Sequence, residues 1–174
     1  MEEKNIYLII KSIIIIIFIL YLFPNEDSKL YGKPIWYTPK KLINFELDGK
    51  GTSQQLIDIY SLSHISHGII FYFILQQINI GSISKFTIAL LVELAWEIFE
   101  NTPYIINKYR ENEEYKDYNG DSIINIIGDT IFMSIGYYLA FKNKDISIYY
   151  LIISEIVLYF FKANLLHLSF GSLL

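Results

Sequence analysis

The residues best suited to chemistry begin with two histidines, His64 and His67, in the run SHISHG over residues 63–68. They are three positions apart, so a helix would present both imidazoles on one face. Imidazole nitrogens and carboxylate oxygens are together the ligands of zinc, manganese or iron. The chain contains no cysteine, which excludes thiolate ligands and cysteine nucleophiles. The pair therefore fits a metal site or a site that exchanges protons with acids.

Acids follow on a second apolar stretch. Glu93, Glu97 and Glu100 fall within about 60° of one another on a helix that turns about 100° per residue. Trp96 and Asn101 flank them. Carboxyl groups inside an apolar helix need protons, cations or hydrogen bonds. This stripe therefore predicts a second wall of the same site.

A third stretch carries Asp121, Asn125 and Asp129, each four residues from the next and so on one slowly drifting helix face. Simpler interpretations exist for two of them: Asp121 as a helix cap and Asn125 as an interhelical hydrogen-bonding residue. Gly128 and Gly136 on the same stretch are typical of positions where helices pack closely.

The elements that must position these residues are apolar segments of membrane-spanning length. The chain is 53% hydrophobic and only 18% charged, and its charges crowd between the apolar runs. A helix needs about 20 mostly apolar residues to cross a bilayer. We therefore predict one integral membrane domain over residues 1–174, an all-α polytopic transmembrane helical bundle of about five spans. The predicted spans are residues 6–23 (an uncleaved anchor), 60–80, 84–104, 121–141 and 146–161.

The predicted connections alternate between long and short. Long polar loops cover residues 24–59 and 105–120, and tight turns join the other spans. Because successive spans alternate in direction, the start of the second, the end of the third and the start of the fourth lie at one side of the membrane. The histidines, the glutamates and the Asp/Asn stripe occupy those three places. We therefore predict one polar cavity formed by His64, His67, Glu93, Glu97, Glu100, Asp121, Asn125 and Asp129.

The long loops supply further candidates. Arg110 is the expected counter-charge, because a guanidinium stays charged and can pair two carboxylates. Trp36 and Tyr37 could fold over the cavity as a lid. The tail over residues 162–174 is amphipathic and could lie in the membrane interface.

Several motifs together resemble a family of alphaproteobacterial integral membrane proteins whose function is unknown. They are the run over residues 53–68, the run ELAWEIFEN over residues 93–101, the pair Tyr109-Arg110, and residues 118–125 followed by Asp129. The resemblance covers about residues 34–140, most of the chain. It implies a multi-pass protein of the bacterial inner membrane and supplies no activity.

A second resemblance is to VanZ-like membrane proteins, which are linked to glycopeptide-antibiotic tolerance. It rests on the spacing of Asp121, Asn125, Gly128 and Gly136 after an acidic helix and the loop residue Arg110. The chain has Trp-Glu at residues 96–97 where that family tends to have Glu-Gln. The resemblance implies a shared helical arrangement only.

The net charge of the chain limits the kinds of partner that can be expected. The net charge is −4 and there is no basic tract, so nucleic acid is not an expected partner, whereas membrane lipids are, and the chain could form a homo-oligomer. Lysines of the tight turns favour a cytoplasmic N-terminus, while those of the first loop oppose it. With that orientation, the polar site faces the periplasm.

Three functions stay open at this point, and whether the protein is an enzyme is open with them. The leading hypothesis is a membrane protein whose polar site binds a lipid or glycan headgroup. The alternatives are a metal-assisted hydrolase or transferase at the membrane interface, using a divalent ion, and a proton-coupled carrier. Candidate catalytic residues are His64, His67, Glu97 and Asp121, and the first three are also the candidate metal ligands. Candidate binding residues are Glu93, Trp96, Glu100, Asn101, Arg110, Asn125 and Asp129.

Overall fold

The computed structural model describes residues 42–45, 53–111, 113–118 and 120–161. Predictions for residues 6–23, for Trp36 and Tyr37, and for the tail over residues 162–174 lie outside these ranges. Within them the chain is all-α, as the sequence predicts. The helices are α1 (Ser61–Leu75), α2 (Ser82–Glu100), α3 (Pro103–Arg110), a 3₁₀ turn (Glu113–Tyr115), α4 (Ile123–Lys142) and α5 (Lys144–Phe160).

The helix bounds differ from the predicted spans at several ends. α1 has 15 residues and stops at Leu75, where a run of polar residues with Gln76 and Gln77 begins. α2 begins at Ser82 and ends at Glu100, whereas the predicted span covers residues 84–104. Among the described helices, α4 is the one whose length and composition suit a membrane crossing, and α1 is apolar but shorter.

The first half of the predicted polar loop over residues 105–120 is helical in the structure, because α3 extends from Pro103 to Arg110. Thr102 begins α3 by accepting a hydrogen bond from the Ile105 backbone, and Pro103 occupies the first turn. Proline suits that position because its fixed φ is helical and no backbone donor is lost. Ile105, Ile106 and Tyr109 are buried in a small apolar cluster with Tyr115 and Tyr118. Charged residues between these apolar ones gave the segment the composition of a loop.

The helix caps place two polar residues differently from the sequence interpretation. Ser122, not Asp121, begins α4, because its side chain accepts a hydrogen bond from the Asn125 backbone. The predicted tight turn before the last helix is at Asn143. This residue is the C-cap of α4, and it is also the N-cap of α5, where its side chain accepts a hydrogen bond from the Ile146 N–H.

The apolar core is built around the contact between α1 and α4, the most extensive in the described structure. A Cβ added to Gly68 would lie 1.9 Å from the Met133 carbonyl oxygen, and one added to Gly136 would lie 1.9 Å from the Ile65 carbonyl oxygen. Both glycines therefore let the two backbones touch. Ile69, Met133 and Ala140 are fully buried beside this contact, with α2 contributing Ala89 and Leu90.

We predict that Gly136→Ala destabilises the protein by about 1–3 kcal/mol, the usual cost of overpacking a core. The added methyl group meets backbone, so the helices themselves must separate. The measurement is the midpoint of thermal unfolding followed by circular dichroism. Gly81→Ala is the matched control, because a Cβ there meets nothing within 4 Å. Equal midpoints for the two variants would contradict the close α1–α4 contact.

Candidate functional site

A cavity of about 70 Å³ lies where the start of α1, the end of α2, α3 and the start of α4 meet. That space holds several water molecules, or an ion with part of its hydration shell. Histidine, carboxyl, hydroxyl and amide groups line it. They belong to Ser53, Tyr60, Ser63, His64, His67, Trp96, Glu100, Tyr109, Tyr115, Tyr118, Asp121, Asn125 and Asp129.

His64 is the hub of the charged groups. Its Nδ1 lies 2.5 Å from Glu93 Oε1 and 3.7 Å from Glu97 Oε1, and its Nε2 lies 3.7 Å from Asp129 Oδ2. An ionised carboxylate can only accept, so a proton on Nδ1 serves the Glu93 contact. Nε2 faces Asp129, and it has a lone pair for an ion when the imidazole is neutral.

His67 lies one turn further along α1 and is half-buried. Its Nδ1 is 3.2 Å from Glu93 Oε2, so the two oxygens of Glu93 serve one histidine each. The two imidazole rings meet edge-on, with centroids 5.0 Å apart, and the His67 ring also packs edge-on against Trp96. Glu93 therefore fixes the orientation of both histidines.

The start of α1 is held by a reciprocal pair of hydrogen bonds. Asp58 Oδ1 accepts from the backbone N–H groups of Tyr60 and Ser61, and the Asp58 N–H donates to Ser61 Oγ. The pattern resembles a capping box, but it lies in the turn that leads into α1, whose N-cap residue is Tyr60. His64 follows one turn later, so Asp58 determines where α1 presents its first histidine.

The preceding segment is bound to the start of α4. Ser122 Oγ donates to the Gln54 carbonyl oxygen, and the Ser122 N–H donates to the Ser53 carbonyl oxygen. Asn125 Nδ2 donates to the Gln55 carbonyl oxygen at 3.0 Å and to Asp58 Oδ2 at 3.2 Å. Because its amide nitrogen has these two acceptors, Asn125 must direct Oδ1 away from them.

The opposite wall joins the end of α2 to the segment before α4. Asn101 Nδ2 donates to Asp121 Oδ2 at 2.7 Å, and the Asp121 N–H donates back to Asn101 Oδ1 at 2.8 Å. Tyr118 donates to Asp121 Oδ1 at 2.7 Å, and Tyr109 donates to Glu100 Oε1 at 2.9 Å. The carboxyl groups of Asp121 and Glu100 are therefore oriented by neutral donors rather than by cations in these contacts.

Burial controls the ionisation of the groups around the cavity edge. Burial, and then the carboxylates of Glu100 and Asp121, raise the pKa of the Tyr109 and Tyr118 hydroxyls well above their usual range, so both stay protonated donors. Burial also raises the pKa of Asp58 to about 6; the neighbouring His64 lowers it and Asp121 raises it.

Several buried oxygens in the described structure have no hydrogen-bond partner. They are Gln55 Oε1, Glu97 Oε1, Asn125 Oδ1 and Asp129 Oδ1. The last three belong to residues that are at most 3% exposed, and two of them, Glu97 and Asp129, each have an oxygen 3.7 Å from a nitrogen of His64. All are acceptors, so the group that would satisfy them is a donor or a cation.

The geometry offers three sets of metal ligands. They are His64 with His67 and Glu93, His64 with Glu97 and Asp129, and Glu97 with Glu100 and Asp121. Within each set the ligand atoms lie within 4.8 Å of one another. Two atoms that each bind one zinc ion at about 2.1 Å are at most about 4.2 Å apart, so the 3.7 Å between His64 Nε2 and Asp129 Oδ2 suits such an ion.

The predicted site residues are therefore largely brought together, although their roles stay predictions. Arg110 Nε donates to the Tyr118 carbonyl oxygen at 2.7 Å, and an Nη donates to Asn107 Oδ1. Its role as a counter-charge stays a prediction, and both histidines lie against the carboxylate of Glu93.

Some lining residues were missed. Ser53, Tyr60, Ser63, Tyr109, Tyr115 and Tyr118 line the cavity, and Asp58 lies behind it. The signals were present: Asp58-x-x-Ser61 has capping-box spacing, and the tyrosines recur in a segment whose isoleucines have helical spacing. Because residues 105–120 were predicted to be a loop, the tyrosines in that segment were not considered as lining residues.

The fold and the site together define an all-helical protein with a buried, acid-rich cavity between its helices. The chain belongs to the family described as Protein of unknown function (DUF2585), whose model matches residues 33–170. This confirms the resemblance to an uncharacterised alphaproteobacterial family.

Relatives agree with this assignment. A UPF0314 protein of Rhizobium johnstonii is 41% identical over 104 residues, which cover 58% of this chain and 52% of the relative. A UPF0314 protein of Sphingopyxis alaskensis is 47% identical over 94 residues, covering 53% of this chain and 50% of the relative. The chain thus spans about half the length of the curated relatives it matches. No solved structure matches it.

We predict that Asp58→Asn makes the free energy of unfolding less dependent on pH between 4 and 7. The pKa of Asp58 in the folded protein, about 6, lies above its ordinary value of 3.8, so the folded state favours the protonated acid. The raised pKa therefore contributes to the free energy of unfolding, fully below pH 3.8. This contribution, up to about 3 kcal/mol, is lost as the pH rises through 6.

The measurement is denaturant unfolding of the wild type and the variant at pH 4, 5, 6 and 7. Asp145→Asn, at the exposed start of α5, is the control for losing one carboxylate. A difference between wild type and Asp58→Asn that stays constant across this range would rule out the raised pKa.

Proposed function

We propose that this protein is a membrane-embedded, divalent-metal-dependent hydrolase or transferase that acts on a polar headgroup at the membrane interface. The observation that carries the proposal is the set His64, Glu97 and Asp129. These three buried side chains offer ligand atoms within 4.8 Å of one another, and two of them have a carboxylate oxygen without a hydrogen-bond partner.

The unpartnered atoms favour a cation over a purely structural network. While both carboxyl groups are ionised, Glu97 Oε1, Asp129 Oδ1 and Asn125 Oδ1 are all acceptors, so they cannot satisfy one another. A buried carboxylate without a partner is costly, whereas one ion would satisfy several oxygens together. An ion bound there would be held by one imidazole and two carboxylates, a donor set that suits zinc, manganese or iron.

Glu93 adds the outer contact that metal-binding histidines usually have. A metal-bound imidazole normally gives its other N–H to a carboxylate or carbonyl, which fixes the ring and its tautomer. The Nδ1 contact of His64 with Glu93 Oε1 supplies this, and it leaves Nε2 beside Asp129. A divalent ion in such a site lowers the pKa of bound water to about 7, which provides a nucleophile for hydrolysis or transfer.

The partly exposed side of the cavity favours a polar headgroup as the substrate. Tyr60, His67, Trp96 and Glu100 are the lining residues that are partly exposed there. Aromatic rings beside hydrogen-bonding groups can hold the apolar and the polar faces of one ligand. A lipid or glycan headgroup has both, and binding of such a headgroup without catalysis is the second candidate function.

The outer surface supports a membrane location. Large apolar side chains are exposed at helical spacing, with Ile127, Ile131 and Ile135 on α4 and Ile152 and Ile156 on α5. Contiguous exposed apolar surface of this kind suits lipid. We propose that about five helices cross the inner membrane, that the N-terminus is cytoplasmic, and that the cavity opens toward the periplasm.

Metal content tests the proposed function. Purified wild-type protein should retain at least one transition-metal ion per chain by elemental analysis. His64→Ala should reduce the zinc or iron content at least tenfold, because it removes the imidazole ligand, and His67→Ala should have a smaller effect through Glu93. Glu111→Gln, an exposed acid in another part of the surface, is the control. Metal-free wild-type protein that binds a headgroup would favour the second candidate.

Reporter fusions test the proposed orientation. A periplasmic-active reporter placed after Glu111 should be active, and the same reporter after Gln77 or after Asn143 should be inactive, because these positions precede and follow helices proposed to cross the membrane. A cytoplasmic-active reporter should give the opposite pattern. The reverse result would place the cavity at the cytoplasmic side and leave the metal site unaffected.

A further inference from the structure

Beside the His64 set lies a group of ligands that contains oxygen only. Glu97, Glu100 and Asp121 offer carboxylate oxygens within 4.8 Å of one another. Glu97 and Asp121 are almost fully buried, and Glu100 and Asp121 line the cavity. Because Glu97 also belongs to the His64 set, the two sets share one carboxylate.

An independent observation indicates that this group takes a ligand. Glu97 is 1% exposed, and its Oε1 has no hydrogen-bond partner in the described structure. The histidine nitrogen nearest to it, His64 Nδ1, lies at 3.7 Å and already contacts Glu93 at 2.5 Å. The shared carboxylate is therefore available to a cation on either side.

The other two carboxylates have the outer contacts expected of metal ligands. Asp121 accepts from Tyr118 and Asn101, and Glu100 accepts from Tyr109. Each carboxylate oxygen has two lone pairs, so an oxygen that accepts from a tyrosine can still bind an ion. These donors are neutral, so they orient the carboxylates without compensating their charge, which leaves that role to a cation or to protons.

We propose that the cavity binds two divalent cations bridged by Glu97. The first ion takes His64, Glu97 and Asp129; the second takes Glu97, Glu100 and Asp121. The second site has only oxygen ligands, so it prefers a hard ion such as Mn²⁺ or Mg²⁺, whereas the imidazole of the first suits zinc, iron or manganese. Two ions that share a site in enzymes are typically about 3.5–4 Å apart, and together they can hold both the attacking and the leaving oxygen.

This inference rests on the proposed function, and the stoichiometry of binding separates the two. Full-length protein, purified in detergent and stripped with a chelator, is titrated with Mn²⁺ by isothermal titration calorimetry and by electron paramagnetic resonance. Two Mn²⁺ ions per chain with an exchange-coupled spectrum support a bridged pair. One ion per chain overturns the pair and leaves the single-ion function; no ion overturns both.

Variants assign the two sites. Glu100→Gln should bind one ion and lose the coupled spectrum, while His64→Ala should keep one ion in the oxygen-only site. Glu97→Gln should weaken the binding of both ions, because both sites share this carboxylate. Tyr118→Phe removes only an outer contact, so it should weaken the second ion about 10–100-fold and leave the first unchanged.

Glu111→Gln is the control for charge, and circular dichroism checks that each variant is folded. If a folded Glu100→Gln still binds two ions, or if Tyr118→Phe weakens both ions equally, the assignment of the second site is overturned.

Discussion

The contact between His64 and Glu93 is the interaction on which the rest of the site depends. Glu93 is fully buried, and an isolated buried carboxylate costs several kcal/mol. Two imidazoles satisfy it, one on each oxygen, and both come from the first turns of α1. The contact therefore ties α1 to α2 at one depth and directs His64 Nε2 toward α4, where Asp129 lies.

The contact between α1 and α4 determines the height at which these groups meet. Gly68 and Gly136 let the backbones touch, and Gly128 does the same against Leu56 in the segment before α1. These three contacts lie along one face of α4. Asn125 and Asp129 are thereby held opposite Asp58 and His64, so the glycine contacts also position the polar site.

The sequence predicts the convergence of the site through direction and depth. Polar residues at the start of one helix, the end of the next and the start of a third must meet at one side, whatever the detailed packing. The interpretation of residues 105–120 failed because Lys108, Arg110 and Glu111 outweigh Ile105 and Ile106 in composition, although the apolar residues have helical spacing. Asp121 was interpreted as a cap because nothing local distinguishes it from Ser122. The hydrogen bond from the Asn125 N–H to Ser122 Oγ shows that Ser122 caps α4, and the contact with Asn101 shows that Asp121 has a tertiary partner instead.

That two-way contact between Asn101 and Asp121 closes the chain on itself before and after residues 102–120. The end of α2 and the start of α4 are consequently held side by side, whatever path the chain takes between them. Once the two ends of a segment are fixed, the entropic cost of closing it grows only slowly with its length. An insertion next to the exposed Glu111 should therefore leave the helices in place, provided that Asn101 and Asp121 stay paired.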